Sequence, residues 1–351
     1  MKAAILVDLN QIAVKEVSDP VCGECEMVIR PESVAICGSD VRIYRFGNDR
    51  VFPPTVIGHE IAGTIIEVGN KVTNFKVGQR VVLGADVPDM DTGRNYTLKG
   101  QGNLCPENLA IGYQLDGAFQ QKMKLNENTV KYGPIVEIPD HVSFDEAALA
   151  EPLACAIHGF EMARMSIGKS ICIIGLGPLG CMMVELTKSY GAGKIFAAQR
   201  SEKRLDMARK FLSAVDATFI STEEEDLVER VMKETNGEGV DVVITAAGTV
   251  KAQEDAIRIV KKRGVVNLFA GLKNQPKLEI DTNLIHYKEC TVLGSHGSNQ
   301  PDVEKAMTLI AKGDIKTKKY ISRYFPLDDI VEAIEYHESR NGMKVIIKPQ
   351  Q

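Results

Sequence analysis

The run Ile171-Cys-Ile-Ile-Gly175-Leu-Gly177-Pro178-Leu179-Gly180 decides how this chain folds. Its first four residues are apolar and read as a buried strand, and residues 179–190 read as a helix. The glycines between them fall at the spacing of a dinucleotide-binding turn. Gly175 permits the tight turn, Gly177 lets the backbone approach a pyrophosphate, and Gly180 lets helix and strand pack closely. Behind Pro178 and Leu179 the helix N-terminus offers unpaired amides and the positive end of its dipole to phosphate.

The alternation continues outward from this turn. Strands are expected over residues 194–198, 240–245, 265–269 and 291–293, and helices over 144–165, 202–212 and 251–262. Strands alternating with helices imply an α/β fold with a parallel, doubly wound sheet. The end of the second strand selects the cofactor. A protein that binds NAD usually places a carboxylate there, about twenty residues past the glycines, for the ribose hydroxyls. Here the strand ends in Gln199-Arg200-Ser201, followed by Arg204. A phosphate would meet no repulsion, and the Arg200 guanidinium can pair with it. NADP(H) is therefore expected in preference to NAD(H), with Gln199, Arg200 and Arg204 on its adenosine side.

Composition bounds the rest. A chain of 351 residues exceeds what one compact core usually holds, so two domains are expected. Its net charge of −5 disfavours nucleic acid as a partner and suits small soluble substrates. The most apolar stretch, residues 171–184, is broken by glycine and proline and is too short to cross a bilayer. Residues 1–7 read as a buried strand rather than a secretory signal, which makes the cytoplasm the default location. The eight cysteines are expected to be mostly reduced there.

From residue 1 to about 140 the chain reads as short strands punctuated by turns, among them 26–30, 61–68 and 80–84. Residues 85–117, rich in Gly, Asp and Asn, read as an ordered lobe. The tail returns to helices over 302–312 and 327–339 and a final strand over 344–347.

Five motifs carry a resemblance that covers nearly the whole chain. They are Cys37-Gly-Ser39-Asp40, Gly58-His59-Glu60-x-x-Gly63 continuing to Gly69, Glu151-Pro-Leu, the glycine turn, and the closing Gly342-Met-Lys-Val. Together they resemble the zinc-dependent medium-chain dehydrogenase/reductase superfamily, most nearly its polyol (sorbitol) dehydrogenase and threonine dehydrogenase-like branch. The resemblance implies a β-rich, GroES-like catalytic domain over residues 1–152, rejoined by 297–351, and a Rossmann nucleotide domain over 153–296, with the active site in the cleft. It also implies a homodimer or homotetramer.

Zinc takes Cys sulfur, His nitrogen and carboxylate oxygen in tetrahedral geometry, and a catalytic site leaves one position open. By resemblance Cys37 and His59 are ligands, with Glu151 as the third, directly or through water, and Glu60 exchanging with water beside it. Asp40 then orients His59, and Ser39 contacts the substrate hydroxyl and relays its proton. The implied reaction is hydride transfer between NADP(H) and a secondary alcohol or ketone, a polyol or ketose. Polyol phosphates and amino alcohols of the threonine type are alternatives. A non-catalytic NADPH-binding protein, like the lens-crystallin relatives, is the alternative of another class.

Three departures from the family pattern qualify this. The family's relay often ends at a histidine five residues after the ligand cysteine, where this chain has Arg42, which cannot act as a base near neutral pH. The four-cysteine structural zinc site of many relatives aligns with Asp91, Arg94, Thr97 and Cys105, so one zinc per chain is expected. Cys22 and Cys25 read as reduced surface cysteines without companions, and Cys155 as a packing residue one helical turn beyond Glu151. Where the polyol branch often has Arg-Tyr, this chain has Gly297-Ser298, and the preceding His296 is a candidate substrate contact.

Overall fold

The computed structural model describes residues 1–89, 96, 99–272 and 277–351, and the chain divides into two compact units. One comprises Met1–Ala154 with Gly297–Gln351, and the other Cys155–His296.

The second unit holds a six-stranded parallel sheet. Numbered along the chain, its strands are Ile171–Ile174, Ile195–Gln199, Thr218–Ser221, Val240–Thr245, Val260–Leu268 and Thr291–Gly294. They lie in the order 3-2-1-4-5-6. The order reverses beside Ile171–Ile174, so the crevice at the C-terminal end of that strand is where such sheets bind nucleotides. Cys172, Phe196, Val243, Val266 and Ile259 are fully buried between sheet and helices. The third strand and the helix Leu227–Glu234 lie in a stretch that periodicity left unassigned, because a four-residue strand with polar ends carries almost no pattern.

The single helix expected over 144–165 is two helices, Phe144–Ala147 and Ala150–Met162. The reason is Pro152. Proline lacks an amide hydrogen, which costs nothing only in a helix's first turn, so the helix has to restart just before it. Ser143 and Glu146 close the first helix with a capping box.

In the first unit a mostly antiparallel sheet runs Ile135–Glu137, Arg80–Leu83, Glu60–Val68, Met27–Ala35, Lys344–Lys348, Ile321–Pro326. Met27–Ala35 is therefore central, with the early strand Glu60–Val68 on one side and the late strand Lys344–Lys348 on the other. Register does the positioning. Ala35 pairs with Glu60 and with Ile346, and the Ile36 amide donates to the Val345 carbonyl at 2.9 Å. The chain leaving Ala35 thus enters Cys37 flanked by the first residues of both neighbouring strands. A core of Ile29, Val34, Ile36, Ile61, Ile65, Phe119, Ile334 and Ile347 packs around these strands. All eight cysteines are free thiols. Among the described residues no helix is long and apolar enough to cross a membrane.

Candidate metal centre and nucleotide turn

Cys37 caps the N-terminus of the helix Gly38–Phe46. Its amide donates to Asp40 Oδ2 at 2.8 Å, so the sequence Cys-Gly-Ser-Asp folds back on itself at the end of the central strand. Across the sheet, His59 and Glu60 open the neighbouring strand, and Cys37, His59 and Glu60 bring one ligand atom each within 4.8 Å of one another. Among the described residues this is the one such gathering of three His, Cys, Asp or Glu side chains.

Asp40 is fully buried, with Oδ1 at 3.2 Å from His59 Nδ1. Neither atom completes a well-directed hydrogen bond, which leaves two polar atoms under-satisfied inside the protein. A ring that turns Nδ1–H towards Asp40 keeps Nε2 as the ligand atom. Burial alone would lower the His59 pKa, but Asp40 and Cys37 outweigh it and hold the ring well above the usual 6.5. A metal at Nε2 has to displace that proton, so the chemistry of this donor set fits a cation such as zinc and binds it less well in acid.

Glu60 meets a partner that the sequence did not reveal. Both of its carboxylate oxygens accept from Lys344 Nζ, which also donates to the Ile36 carbonyl at 3.3 Å. Glu60 is fully buried and Lys344 is 4% exposed. The signal was present, since a lone lysine in the strand Lys344-Val-Ile-Ile, otherwise buried, requires a counter-charge. Glu151 is buried in the first turn of Ala150–Met162, close enough for its charge to act on Lys344, but it is not one of the three residues within 4.8 Å.

Ser39 is buried, with its Oγ at 3.4 Å from His59 Nε2. Arg42 is exposed. Tyr113, which the sequence did not single out, lies with its ring centroid 5.9 Å from that of His59. His296, exposed, closes the second unit. Cys22 and Cys155 are half-buried, and the Cys22 thiol donates to the Glu26 carbonyl at 3.4 Å. Asp91, Arg94 and Thr97 lie outside the described residues, while Cys105 is buried and its thiol donates to the Asp89 carbonyl at 3.4 Å.

The glycine turn in the second unit fits a dinucleotide. A side chain on Gly180 would lie 1.9 Å from the Gly175 carbonyl oxygen, so helix and strand can meet only there at glycine. A side chain on Gly177 would meet nothing within 4 Å, which leaves open space where a pyrophosphate would lie. Gly177 then caps the helix Pro178–Ser189, whose first amides are unpaired within the helix. Gln199 braces this turn, its Oε1 accepting from the Leu176 amide at 2.8 Å. Arg200 is exposed beyond it, and Arg204 Nη1 lies 3.6 Å from Met207 Sδ. Glu202, the next acid along the chain, pairs with Arg209 at 2.7 Å.

The chain matches two family models, an alcohol dehydrogenase GroES-like domain over residues 23–140 and a zinc-binding dehydrogenase over 178–312. Fold and site therefore define a class, the dehydrogenases that use zinc and a nicotinamide cofactor. Sorbitol dehydrogenase of Bacillus subtilis is 33% identical, covering 99% of this chain and 97% of that protein. D-arabitol-phosphate dehydrogenase of Enterococcus avium is 31% identical, covering 97% of this chain and 94% of its own. The structure of a zinc-binding dehydrogenase of Sinorhizobium meliloti bound to NADP superposes with a TM-score of 0.90 at 28% identity, over 99% of both chains. The chain belongs to the zinc-dependent medium-chain dehydrogenase/reductase superfamily, in its polyol and threonine dehydrogenase-like branch, and is a zinc-dependent alcohol/polyol dehydrogenase.

Proposed function

We propose that this chain transfers hydride between NADP(H) and a secondary hydroxyl of an unphosphorylated polyol, or the matching ketose. The observation that carries this reading is the convergence of Cys37, His59 and Glu60 beside Ser39, in a chain whose nucleotide turn lacks the acid that would favour NAD. The sorbitol and arabitol-phosphate dehydrogenases among its relatives support a polyol. A phosphorylated polyol would need a cation such as Arg42 or Arg45 to hold its phosphate, and Arg45 is engaged by Glu338 at 2.7 Å and by Asn10 at 2.9 Å.

Cys37, His59 and Glu151 would hold a single zinc, with Glu60 kept in reserve by Lys344. When bound, zinc supplies Lewis acidity that eases loss of an alcohol proton, and the nicotinamide supplies the hydride acceptor. The protein's own work is to orient. Asp40 fixes His59, Ser39 offers its hydroxyl to the substrate oxygen, and the amides at the start of Pro178–Ser189 hold the pyrophosphate. Arg200 would pair with the adenosine phosphate.

The test follows reduced-cofactor absorbance across polyols, ketoses, their phosphates and simple alcohols, with NADP(H) and NAD(H) compared. Chelator-sensitive turnover on a polyol with NADP(H) is expected. The pair Gln199→Asp and Arg200→Ile should move preference towards NAD by roughly tenfold or more, the worth of one or two charge-assisted contacts. An unmoved ratio would sink the cofactor assignment.

The strand Thr291–Gly294 ends the six-stranded sheet and, among the described residues, pairs only with Val260–Leu268. An open edge of this kind invites a second copy, and a homo-oligomer paired there is part of the proposal. A monomeric mass by light scattering would refute it.

A further inference from the structure

An amide stands among aliphatic residues in the sheet of the second unit. Asn267 lies in the fifth strand, Val260–Leu268, between Val266 and Leu268, and is fully buried. Its register neighbours are Ile244 in the fourth strand and Leu293 in the sixth. A buried amide costs free energy unless its polar atoms are bonded, and here both are. Asn267 Nδ2 donates to the Gly159 carbonyl and to Ser295 Oγ, each at 2.9 Å, and the Ser295 hydroxyl donates back to Oδ1 at 3.1 Å.

These bonds join separate segments. Gly159 belongs to the helix Ala150–Met162, which passes so close that a side chain there would lie 3.0 Å from the Phe269 ring and 3.5 Å from Asn267 Nδ2. Ser295 is the first residue past the sixth strand, Thr291–Gly294. Asn267 therefore fastens the ends of the fifth and sixth strands to each other and to the helix. The fourth strand joins them, since the Ala270 amide donates to the Thr245 carbonyl at 2.8 Å and Thr245 Oγ1 to the Asn267 carbonyl at 3.4 Å.

All of these are C-terminal strand ends. In a sheet of order 3-2-1-4-5-6 a dinucleotide lies across those ends, one mononucleotide to each half. With the adenosine beside the glycine turn, Gln199 and Arg200, the nicotinamide falls to strands four to six. A fully buried side chain is out of the ring's reach, but the backbone that it fastens is not. We propose that Asn267 is a positioning residue for the nicotinamide. With Ser295 it fixes the backbone at the ends of the fifth and sixth strands, against which the ring is oriented for hydride transfer. This rests on the reading of the second unit as the site of NADP(H).

The test compares NADPH with 2′-phospho-ADP-ribose, which lacks the nicotinamide, on the zinc-loaded enzyme and its Asn267→Ala, Ser295→Ala and Ser295→Thr variants. All three variants should bind 2′-phospho-ADP-ribose within about twofold of the parent by calorimetry, which also shows that they fold. Asn267→Ala should lose the change in nicotinamide fluorescence that the parent shows on binding NADPH. Its kcat should fall about 10- to 100-fold, since a displacement of about 1 Å at a reacting centre can cost 100-fold. Ser295→Ala should move both readouts the same way by less, and Ser295→Thr, which keeps the hydroxyl, should leave them parental. If affinity for 2′-phospho-ADP-ribose falls in step with kcat, Asn267 merely supports the whole domain and the proposal is overturned. Parental fluorescence and kcat in Asn267→Ala would overturn it equally. A parent that binds only NADH and ADP-ribose overturns the NADP(H) assignment alone, and the same comparison with that pair then decides the role of Asn267. A parent that binds none of the four overturns the reading of the second unit, and the proposal with it.

Discussion

Replacing Cys37 with serine is expected to leave a folded protein that holds no tightly bound zinc and turns over at least roughly a thousandfold more slowly. The fold should survive because the structural work at this position is done by the backbone. The Cys37 amide still donates to Asp40, and Ala35 still pairs with Glu60 and Ile346. What is lost is the thiolate, a ligand that a serine hydroxyl does not replace near neutral pH. Loss of an orienting partner alone typically costs 10- to 100-fold in metal affinity or activity, and loss of a direct ligand should cost more. Metal analysis after dialysis, beside reduced-cofactor absorbance, decides the matter. Stoichiometric zinc with activity within tenfold of the parent would remove Cys37 from the ligand set.

Lys344→Met should destabilise the metal-free protein by about 3–5 kcal/mol, the usual result of stripping a buried charge of its partner. Glu60 would be left fully buried with its carboxylate uncompensated. Adding Glu60→Gln should return much of that loss, since removing both charges costs less than removing one. Burial alone would lower the Lys344 pKa, but Glu60 and Cys37 outweigh it and raise it above 10.5. The stability linked to protonation of Lys344 is therefore fully present below pH 10.5 and lost as pH rises through the higher folded-state value. Urea unfolding of the three variants near neutral pH measures the cycle. A loss under about 1 kcal/mol for Lys344→Met alone would mean that Glu60 finds another partner or water.

What could be read from the sequence was what is local along the chain. The glycine turn announces itself because strand, turn and helix are contiguous, and the structure gives Gly177 and Gly180 the surroundings that their spacing predicts. The motifs around Cys37 and His59 were equally legible, and the sheet brings these residues together with Glu60. The pairing of Lys344 with Glu60 and the place of Tyr113 beside His59 were not. Each residue reaches the centre through pairing between segments far apart in sequence, a strand register in one case and a loop clasp in the other. The short third strand escaped for the opposite reason, having too few residues to show a period. The break before Pro152 could have been read, because proline marks a helix start as surely as a helix end.

The closing strand Lys344–Lys348 also has a consequence for the order in which the protein is made. The first unit is begun by Met1–Ala154 and finished by Gly297–Gln351, and all of Cys155–His296 is synthesised in between. While the second unit emerges, Val34 and Ala35 at the end of the strand Met27–Ala35 lack their partner on one flank and Glu60 lacks Lys344. The nascent chain thus carries an unpaired sheet edge, the kind of surface on which chains stick to one another. Metal cannot be seated in its finished surroundings until the last strand arrives. Maturation of the centre is in this sense timed by translation, and a chain stopped short of Lys344 would present the ligand residues without the environment that holds them.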